Sequence, residues 1–396
     1  MKPLGASLCA VALLAAAPAA AQQRLPGLAP SPASAEAGLW TASDRAEQQA
    51  RTSARLNPDP ALNAYVRDLA CETSPEYCEE LRVYVMDQPA FNAMAAPNGY
   101  LEVWSGLLLR ADSAAQVAFV MGHEVGHYAE NHAIERWNTT KGMMTAALLV
   151  SGAAAGAGAY YQVDLRGLGD LAYLTAMSSV FGYSRLQESQ SDQIGFERAV
   201  AAGYDADAPA DLWRDLQEET AASSFRNVRR AEARNSIFRT HPITAERIGA
   251  LEAMAARHPG GGRLDRERHR AAIRPHLSAW LDMELERRDF DGLLVLIDRL
   301  GRDGEDLGVL EFHRGEIFRL RREDGDLQRA RDAYATAALY PDAPAAAWRQ
   351  LGELSARMDD PQGAARAWRT YLEIAVDADD RWIVEDSLNA LEGASE

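Results

Sequence analysis

The chain has 396 residues, of which 47% are apolar and 25% are charged, and its formal net charge is −17 at pH 7. This length is enough for two or three folded domains, and the composition is typical of globular proteins. The acidic balance, without a Lys/Arg-rich run, argues against nucleic-acid binding, which requires a basic surface.

Residues 1–21 have the pattern of a secretory signal peptide. Lys2 precedes the apolar stretch Leu8–Leu14, and small residues lead to a cleavage site after Ala21. An uncleaved membrane anchor is the alternative, although the apolar stretch is short for a bilayer span. Residues 22–45 are rich in Pro, Ala, Ser and Gly, and this composition predicts a poorly ordered arm.

Two cysteines remain once the signal peptide is removed. Cys71 and Cys78 are separated by six residues. In an oxidising compartment such a pair closes a small disulfide, whereas a reducing compartment leaves two thiols. We predict a Cys71–Cys78 disulfide.

Two strands and a helix are predicted next along the chain. Leu81–Asp87 and Tyr100–Trp104 alternate in the manner of strands, and Pro97-Asn98-Gly99 between them is typical of a turn. Ser113 and Gln116 fit a capping box at the start of the following helix.

That helix ends in the most informative motif of the chain, His123-Glu124-Val125-Gly126-His127, which has the form H-E-x-x-H. Histidines four residues apart lie on one helical face, as two ligands of a tetrahedral zinc site require. The glutamate between them acts in such sites as the general base. An exposed helix with two histidines and a glutamate is the alternative.

Residues 142–163 carry no charge and are long enough to cross a bilayer. Most of them are small or polar, and therefore supply little transfer free energy. A helical hairpin, buried or at the surface, is the preferred interpretation over a membrane-inserted segment. Peripheral membrane contact through 142–163 stays open.

A catalytic zinc requires a third protein ligand and one open position. Residues 184–195 have helical character and place Glu188 and Asp192 on one face. Glu188 could be the third ligand, while Asp192 could accept the free ring N–H of a ligating histidine. Spacing alone is equally compatible with a surface helix that carries two acids.

The composition changes after residue 258. Residues 259–275 contain Gly260-Gly261-Gly262 and are dense in charge, which predicts a linker. Residues 276–396 are predicted to be all helical, with helices at 277–285, 291–300, 309–321, 327–339, 345–358 and 362–374.

Two stretches of this tail resemble each other at an offset of 34 residues, which pairs Asp326 with Asp360, Ala330 with Ala364, Ala333 with Ala367 and Tyr334 with Trp368. The offset and the segment Trp348-Arg349-Gln350-Leu351-Gly352 fit a tetratricopeptide repeat, whose helix pairs stack into a solenoid with a concave peptide-binding face. An ordinary helical bundle is the alternative.

Four segments of the chain, in this order, resemble the HtpX and CAAX-prenyl-protease type of zinc endopeptidases. Asn92–Tyr100 resembles that family's N-A-F-A-x-P-G-G-Y segment, and His123–His127 is its H-E-x-x-H motif. Residues 184–195 resemble S-R-x-x-E-x-E-A-D-x-x-G, with departures at Gln190 and Ser191 that spare the ligand position. Thr240–Ile248 resembles T-H-P-x-x-x-x-R-I.

The resemblance covers about residues 60–255 and implies a zinc endopeptidase of the zincin type that binds one Zn²⁺ per chain. It implies that His123, His127 and Glu188 bind the metal, and that Glu124 is the general base. By the same analogy, His241 closes the fourth metal position or stabilises the oxyanion. The other residues that the resemblance implicates are Asp192 and Arg185 beside the ligands, and Asn98, Gly99, Tyr100 and Leu101 in an edge strand that takes up substrate.

The predicted fold class is α+β and mostly helical, with a protease domain at 46–258 that contains a small sheet and a tetratricopeptide-like domain at 276–396. The signal peptide and the repeats narrow the likeness to a periplasmic, BepA-like subgroup, which degrades or helps to assemble outer-membrane proteins. The implied function is proteolysis of misfolded or stalled envelope polypeptides, with the outer-membrane assembly machinery as a partner. A chaperone or assembly scaffold with latent proteolysis is the alternative.

Overall fold

The computed structural model describes residues 24–32, 34–139, 182–226, 228–229, 241 and 243–393. The predicted signal peptide and the uncharged segment 142–163 lie outside these residues. Among the described helices, none combines the length and apolar character needed to span a membrane.

Within the described residues, the fold is mostly helical with one small sheet. The helices up to residue 258 are α1 (Ala35–Arg51), α2 (Pro60–Thr73), α3 (Ser105–Arg110), α4 (Ala114–Ala129), α5 (Arg185–Ala201), α6 (Ala208–Ala222) and α7 (Ala245–Ala255). Those that follow are α8 (Arg266–Ile273), α9 (Leu277–Arg287), α10 (Phe290–Leu300), α11 (Leu307–Arg321), α12 (Asp326–Ala337), α13 (Ala346–Arg357), α14 (Pro361–Ile374) and α15 (Arg381–Gly393).

The sheet has three strands, β1 (Arg82–Met86), β2 (Ala93–Ala95) and β3 (Tyr100–Trp104), in the order β1-β3-β2. Strand β3 pairs parallel with β1 and antiparallel with β2. The alternation of apolar residues predicted β1 and β3, and both are confirmed. Strand β2 is too short to show a periodic pattern.

The sheet order corrects the expected substrate edge. Tyr100 and Leu101 lie in the central strand β3, and Asn98 and Gly99 form the turn that precedes it. A strand with partners on both sides has no free backbone groups for a substrate. In the described part of the chain, the edge next to the motif helix is β2 instead.

The expectation of a poorly ordered arm over 22–45 is wrong from Ala35 onward, where helix α1 begins. Ser34 caps this helix by accepting a hydrogen bond from the Ala37 N–H. Leu39 and Ala42 are buried against Tyr183 and its neighbours. Composition alone predicted disorder here, because it does not take account of the Ser34 cap or of burial against distant residues.

One apolar core extends across the predicted linker. It joins Phe119 of α4 to Trp280 of α9 and Leu296 of α10. The linker is itself partly helical, since α8 lies within 259–275 and buries Ile273. Helices α9 and α10 therefore complete the apolar core of the segment predicted as the protease domain, residues 46–258.

A buried ion cluster also crosses this junction. Arg110 of α3 is 6% exposed, and its guanidinium lies 2.7 Å from Glu219 of α6 and 2.6 Å from Glu284 of α9. Removal of one partner from such a cluster leaves a buried charge uncompensated, at a cost of about 3–5 kcal/mol. The contact ties the tail to the helices around the site.

The six helices predicted in the tail are confirmed to within two residues at each end. A last helix, α15, was not predicted. Val384 is its buried residue, whereas Trp382 and Ile383 are exposed. A helix with so narrow a buried stripe shows little amphipathic periodicity in its sequence.

Candidate metal centre

Helix α4 carries the H-E-x-x-H motif into the centre of the fold. Its N-cap, Ser113, accepts a hydrogen bond from the Gln116 N–H, but the Gln116 side chain accepts from the Asp112 N–H, so half of the predicted capping box is present. His123, Glu124 and His127 are 3%, 2% and 1% exposed. Polar groups buried to this degree require partners, so the exposed-helix alternative is excluded.

Helix α5 packs closely against α4 and presents Glu188 to the motif. Ser184 and Gln187 form a capping box at its start. A Cβ atom at Gly195 would lie 2.8 Å from the His123 N atom, so glycine is required for this approach. The packing buries Glu188 to 2% exposure, which excludes the surface-helix alternative.

Four side chains converge at one point: His123, His127, Glu188 and His241, whose possible ligand atoms all lie within 4.8 Å of one another. His123 Nε2 lies 3.1 Å from His127 Nε2, and both nitrogens lie 3.7 Å from an oxygen of Glu188. His241 Nδ1 lies 3.0 Å from Glu188 Oε1 and 3.2 Å from His123 Nε2.

Five of the ligand-to-ligand distances are close to the edges of a zinc tetrahedron. Zinc bonds of about 2.0–2.1 Å to nitrogen and oxygen imply ligand-to-ligand distances of about 3.3–3.4 Å. The five observed distances lie between 3.0 and 3.7 Å, on both sides of that value. The four side chains therefore suit one small tetrahedral cation.

The carboxylate of Glu188 gives a second indication of a cation. Both of its oxygens are buried and face positive groups, with Oε1 3.0 Å from His241 Nδ1 and Oε2 2.9 Å from a guanidinium nitrogen of Arg247. Burial alone would raise its pKa, but the positive charges of His241 and Arg247 outweigh burial and lower it. Burial would likewise lower the pKa of His241, yet the carboxylates of Glu188 and Glu124 raise it to about 9. Positive charge is favoured at the centre of this site.

Asp192 lies behind His123. Its Oδ1 is 3.0 Å from His123 Nδ1, on the ring edge opposite the nitrogen that faces the cluster. Burial would raise the pKa of Asp192, but the Arg247 guanidinium, 2.6 Å away, lowers it to about 2. An ionised carboxylate in this place holds the ring with Nε2 toward the metal position.

One of the two residues predicted to lie beside the ligands, Arg185, does not lie there. Arg185 is exposed on the first turn of α5, because its position faces away from the packed side of that helix. The arginine that contacts both carboxylates is Arg247, which lies 2.9 Å from Glu188 and is 7% exposed. Arg247 was not predicted from the sequence, although it stands at the arginine position of the T-H-P-x-x-x-x-R-I segment.

His132 holds the second histidine of the motif in the same way. His127 Nδ1 lies 2.9 Å from His132 Nδ1, and His132 Nε2 lies 3.3 Å from Gln190 Oε1. Since His127 Nε2 faces the cluster, its proton sits on Nδ1 and is donated to His132. His132 then donates its own proton to Gln190. His132 was not predicted from the sequence, where its indication is a third histidine soon after the motif.

Glu124 lies beside the cluster, with Oε1 3.5 Å from His241 Nε2. Burial raises the pKa of its carboxyl, although His241, His123 and the Ala95 backbone N–H counteract the shift. The Ala95 contact also places strand β2 next to this carboxylate. Of the T-H-P segment, Thr240 and Pro242 lie outside the described residues.

Cys71 and Cys78 form a disulfide, with Cα atoms 4.8 Å apart. The bond links the end of α2 to the turn that contains Tyr77. Tyr77 packs edge-on against Tyr128 of α4, with ring centroids 5.6 Å apart. The disulfide therefore supports the end of the motif helix that lies beyond the metal site.

Two histidines on one helix, a glutamate from a second helix and a buried glutamate between the histidines define a metal-dependent hydrolase of the H-E-x-x-H class. The sequence profile of peptidase family M48 matches residues 56–255, about half of the chain. The protein belongs to peptidase family M48 and contains a metalloprotease domain.

Curated relatives agree with this assignment. The chain is similar to metalloprotease LoiP of Escherichia coli, with 32% identity over 161 residues that make up 39% of this chain and 55% of the relative. It is 35% identical to mitochondrial metalloendopeptidase OMA1 of Arabidopsis thaliana over 126 residues, 31% of this chain and 23% of the relative. It is 24% identical to the beta-barrel assembly-enhancing protease of Yersinia pestis over 213 residues, 51% of this chain and 40% of the relative. The matches thus cover about half or less of the length of these relatives.

Proposed function

We propose that this protein is a periplasmic, zinc-dependent endopeptidase that cleaves misfolded or stalled envelope proteins as part of outer-membrane protein quality control. The observation that carries the proposal is the close approach of four possible ligand residues, three buried and one partly buried, next to Glu124. The donor set of imidazoles and a carboxylate suits zinc, with one ion per chain.

His123, His127 and Glu188 would hold the zinc, which supplies a Lewis acid and lowers the pKa of water to about 7. The Glu124 carboxylate accepts a proton from the attacking water and returns it to the leaving amine. Its raised pKa, caused first by burial, makes it a stronger base than an exposed carboxylate. Asp192 and His132 keep the two imidazole rings oriented.

The substrate would bind as an additional strand on β2. In the antiparallel pair, Ala93 and Ala95 lie opposite Val103 and Leu101. Ala95 lies next to Glu124, so a peptide on this edge would pass the general base. Pairing through backbone groups allows one protease to accept many sequences.

His241 makes the described site a closed one. A catalytic zinc keeps one position open, whereas four protein ligands fill a tetrahedron. His241 lies within 4.8 Å of the other three possible ligand atoms, where it would fill the fourth position. We therefore propose that this arrangement is latent and that His241 must withdraw before a peptide carbonyl can approach.

The cellular setting rests on three observations. The Cys71–Cys78 disulfide fits an oxidising compartment, and residues 1–21 have the pattern of a signal peptide. One similar protein is named a beta-barrel assembly-enhancing protease. The outer-membrane assembly machinery is therefore the partner that we propose.

We propose that the tail is a tetratricopeptide-like solenoid. Its helix pairs α11–α12 and α13–α14 pack through a glycine on the first helix and an aromatic ring on the second. A Cβ atom at Gly315 would lie 2.4 Å from Tyr334, and one at Gly352 would lie 2.4 Å from Trp368. Tyr334 and Trp368 are also one of the four residue pairs that are related by the 34-residue offset. The second candidate function, a scaffold that acts through these repeats, rests on this packing.

The test is zinc analysis and peptide hydrolysis with the full chain and its Glu124→Gln variant. We expect about one zinc per chain in both proteins, hydrolysis of unfolded outer-membrane proteins by the wild type, and none by the variant. His241→Ala should cleave faster than the wild type if the closed site is latent. Absence of zinc, or equal cleavage by Glu124→Gln, would contradict the proposed enzyme.

The same variant separates the two functions. A Glu124→Gln chain that retains its tail should capture outer-membrane proteins, whereas one without α13–α15 should lose those partners if the repeats bind them. Enrichment of an unrelated set of proteins would argue against the quality-control role.

A further inference from the structure

The end of the motif helix is held by a residue far from it in the chain, Arg24. Helix α4 ends at Ala129, two residues after His127. The last four carbonyls of a helix have no partner within it. The Arg24 N–H donates to the Ala129 carbonyl at 2.7 Å, and the Arg24 carbonyl accepts a hydrogen bond from the Tyr77 hydroxyl at 2.9 Å. Arg24 therefore connects the last turn of α4 to the turn that follows α2.

The Arg24 side chain is buried beside the same turn. Its guanidinium carbon lies 4.6 Å from the ring centroid of Tyr128 and 5.2 Å from that of Trp40 in α1. A guanidinium nitrogen lies 3.3 Å from the Glu36 carboxylate. Arg24 is 5% exposed, and arginine is rarely buried to this degree unless it is paired. A desolvated cation is attracted to aromatic rings, and a positive charge is also favourable at the carboxyl end of a helix.

We propose that Arg24 is a positioning residue for the metal site, which acts by holding the last turn of α4 and with it the His127 ring. The inference rests on the proposed zinc site. Tyr128 and His127 are adjacent in the chain and project to different sides of α4, since Tyr128 faces Arg24 whereas His127 Nε2 faces the ligand cluster. Movement of this turn therefore displaces both rings.

The Arg24 contacts act on His127 more than on His123. His127 Nδ1 lies 2.9 Å from His132 Nδ1, and both residues are at the end of α4 or directly after it. His123 is one turn further inside the helix, and Asp192 of α5 orients its ring. Loss of the Arg24 contacts thus disturbs one ligand and its partner, which weakens zinc binding without abolishing it.

The first experiment measures zinc affinity by competition with a chelator, using the full chain and three variants. We expect zinc binding to be about tenfold weaker in Arg24→Ala, the equivalent of about 1.4 kcal/mol. Arg24→Lys keeps a cation beside Tyr128 and should recover most of the affinity. Tyr77→Phe keeps the ring that packs against Tyr128 but removes the hydroxyl that donates to the Arg24 carbonyl, and should weaken zinc binding by about threefold.

Arg263→Ala is the matched control. The Arg263 guanidinium also lies over a tyrosine ring, 4.3 Å from the centroid of Tyr204, but Arg263 is outside the four-residue cluster. This variant should bind zinc as tightly as the wild type. Wild-type zinc affinity in Arg24→Ala would overturn the inference. An equal loss of affinity in Arg263→Ala would overturn it too, because the effect would then be general destabilisation.

A second measurement requires neither zinc nor substrate. Hydrogen exchange followed by mass spectrometry on metal-free chains should show faster amide exchange at residues 126–131 in Arg24→Ala than in the wild type, with unchanged exchange at residues 116–121. If the wild type binds no zinc or cleaves no peptide, the proposed enzyme fails while this measurement still tests the hold of Arg24 on the helix end. Unchanged exchange at residues 126–131, or equal acceleration along the whole of α4, contradicts the inference.

Discussion

Replacement of His132 tests whether the site depends on residues behind the ligands. His132→Phe keeps an aromatic ring in a buried position but cannot accept the proton of His127 Nδ1, 2.9 Å away. His127 would then lose the contact that fixes its tautomer and its ring orientation. Loss of such a contact behind a ligand typically lowers metal affinity by about 10–100-fold, which corresponds to about 1.4–2.7 kcal/mol.

The assay is competition for zinc with a chelator of known affinity, performed on the wild type, His132→Phe and His132→Gln. Glutamine offers a carbonyl acceptor and should recover part of the affinity. His258 is a suitable control, because it contacts Phe196 at a centroid distance of 5.5 Å and lies outside the four-residue cluster, so His258→Phe should bind zinc normally. Wild-type zinc affinity in His132→Phe would refute the reasoning.

Three further outcomes follow from buried charges and from the shared core. Asp192→Asn removes one carboxylate from buried Arg247 and should lower the unfolding free energy by about 3 kcal/mol in urea titrations of zinc-free protein; a loss below about 1 kcal/mol contradicts this. Burial lowers the pKa of His269 to about 4 from 6.5, so the unfolded chain binds the proton first and stability falls between about pH 6.5 and 4, by about 3 kcal/mol. His269→Gln, which keeps a donor for Leu108 and an acceptor for Tyr65, should flatten that dependence in unfolding titrations, and an unchanged slope would argue against it. A chain that ends at residue 258 should lack resolved amide NMR spectra, because Trp280 and Leu296 complete its core, whereas one that ends at residue 340 should fold.

Much of the site was predictable because its indications are local. The spacing of His123 and His127 determines which helical face they share, and the Ser113 cap marks where that helix begins. The pattern around Glu188 predicted a helix with two acids on one face, and α5 has that arrangement.

Other parts of the fold had no indication in the local sequence. Gly260-Gly261-Gly262 and the charge density that follows predicted a linker, yet residues 266–273 form a helix with its apolar side against the core. Composition describes a segment by itself, while burial depends on what packs against it. The same limit hid β2, since a three-residue strand is stabilised by β3 rather than by its own pattern.

By itself, the sequence determined the class of chemistry, because metal-binding residues at helical spacing and the capping residues around them act over a few positions. Only the tertiary structure decided that Glu188 and His241 lie beside the two histidines and that His132 contacts His127. These residues are far apart along the chain or lack a motif, and their proximity depends on helices packed at a glycine contact and on a core shared with the tail. Such contacts depend on how side chains from distant segments fill common space, which no local pattern specifies.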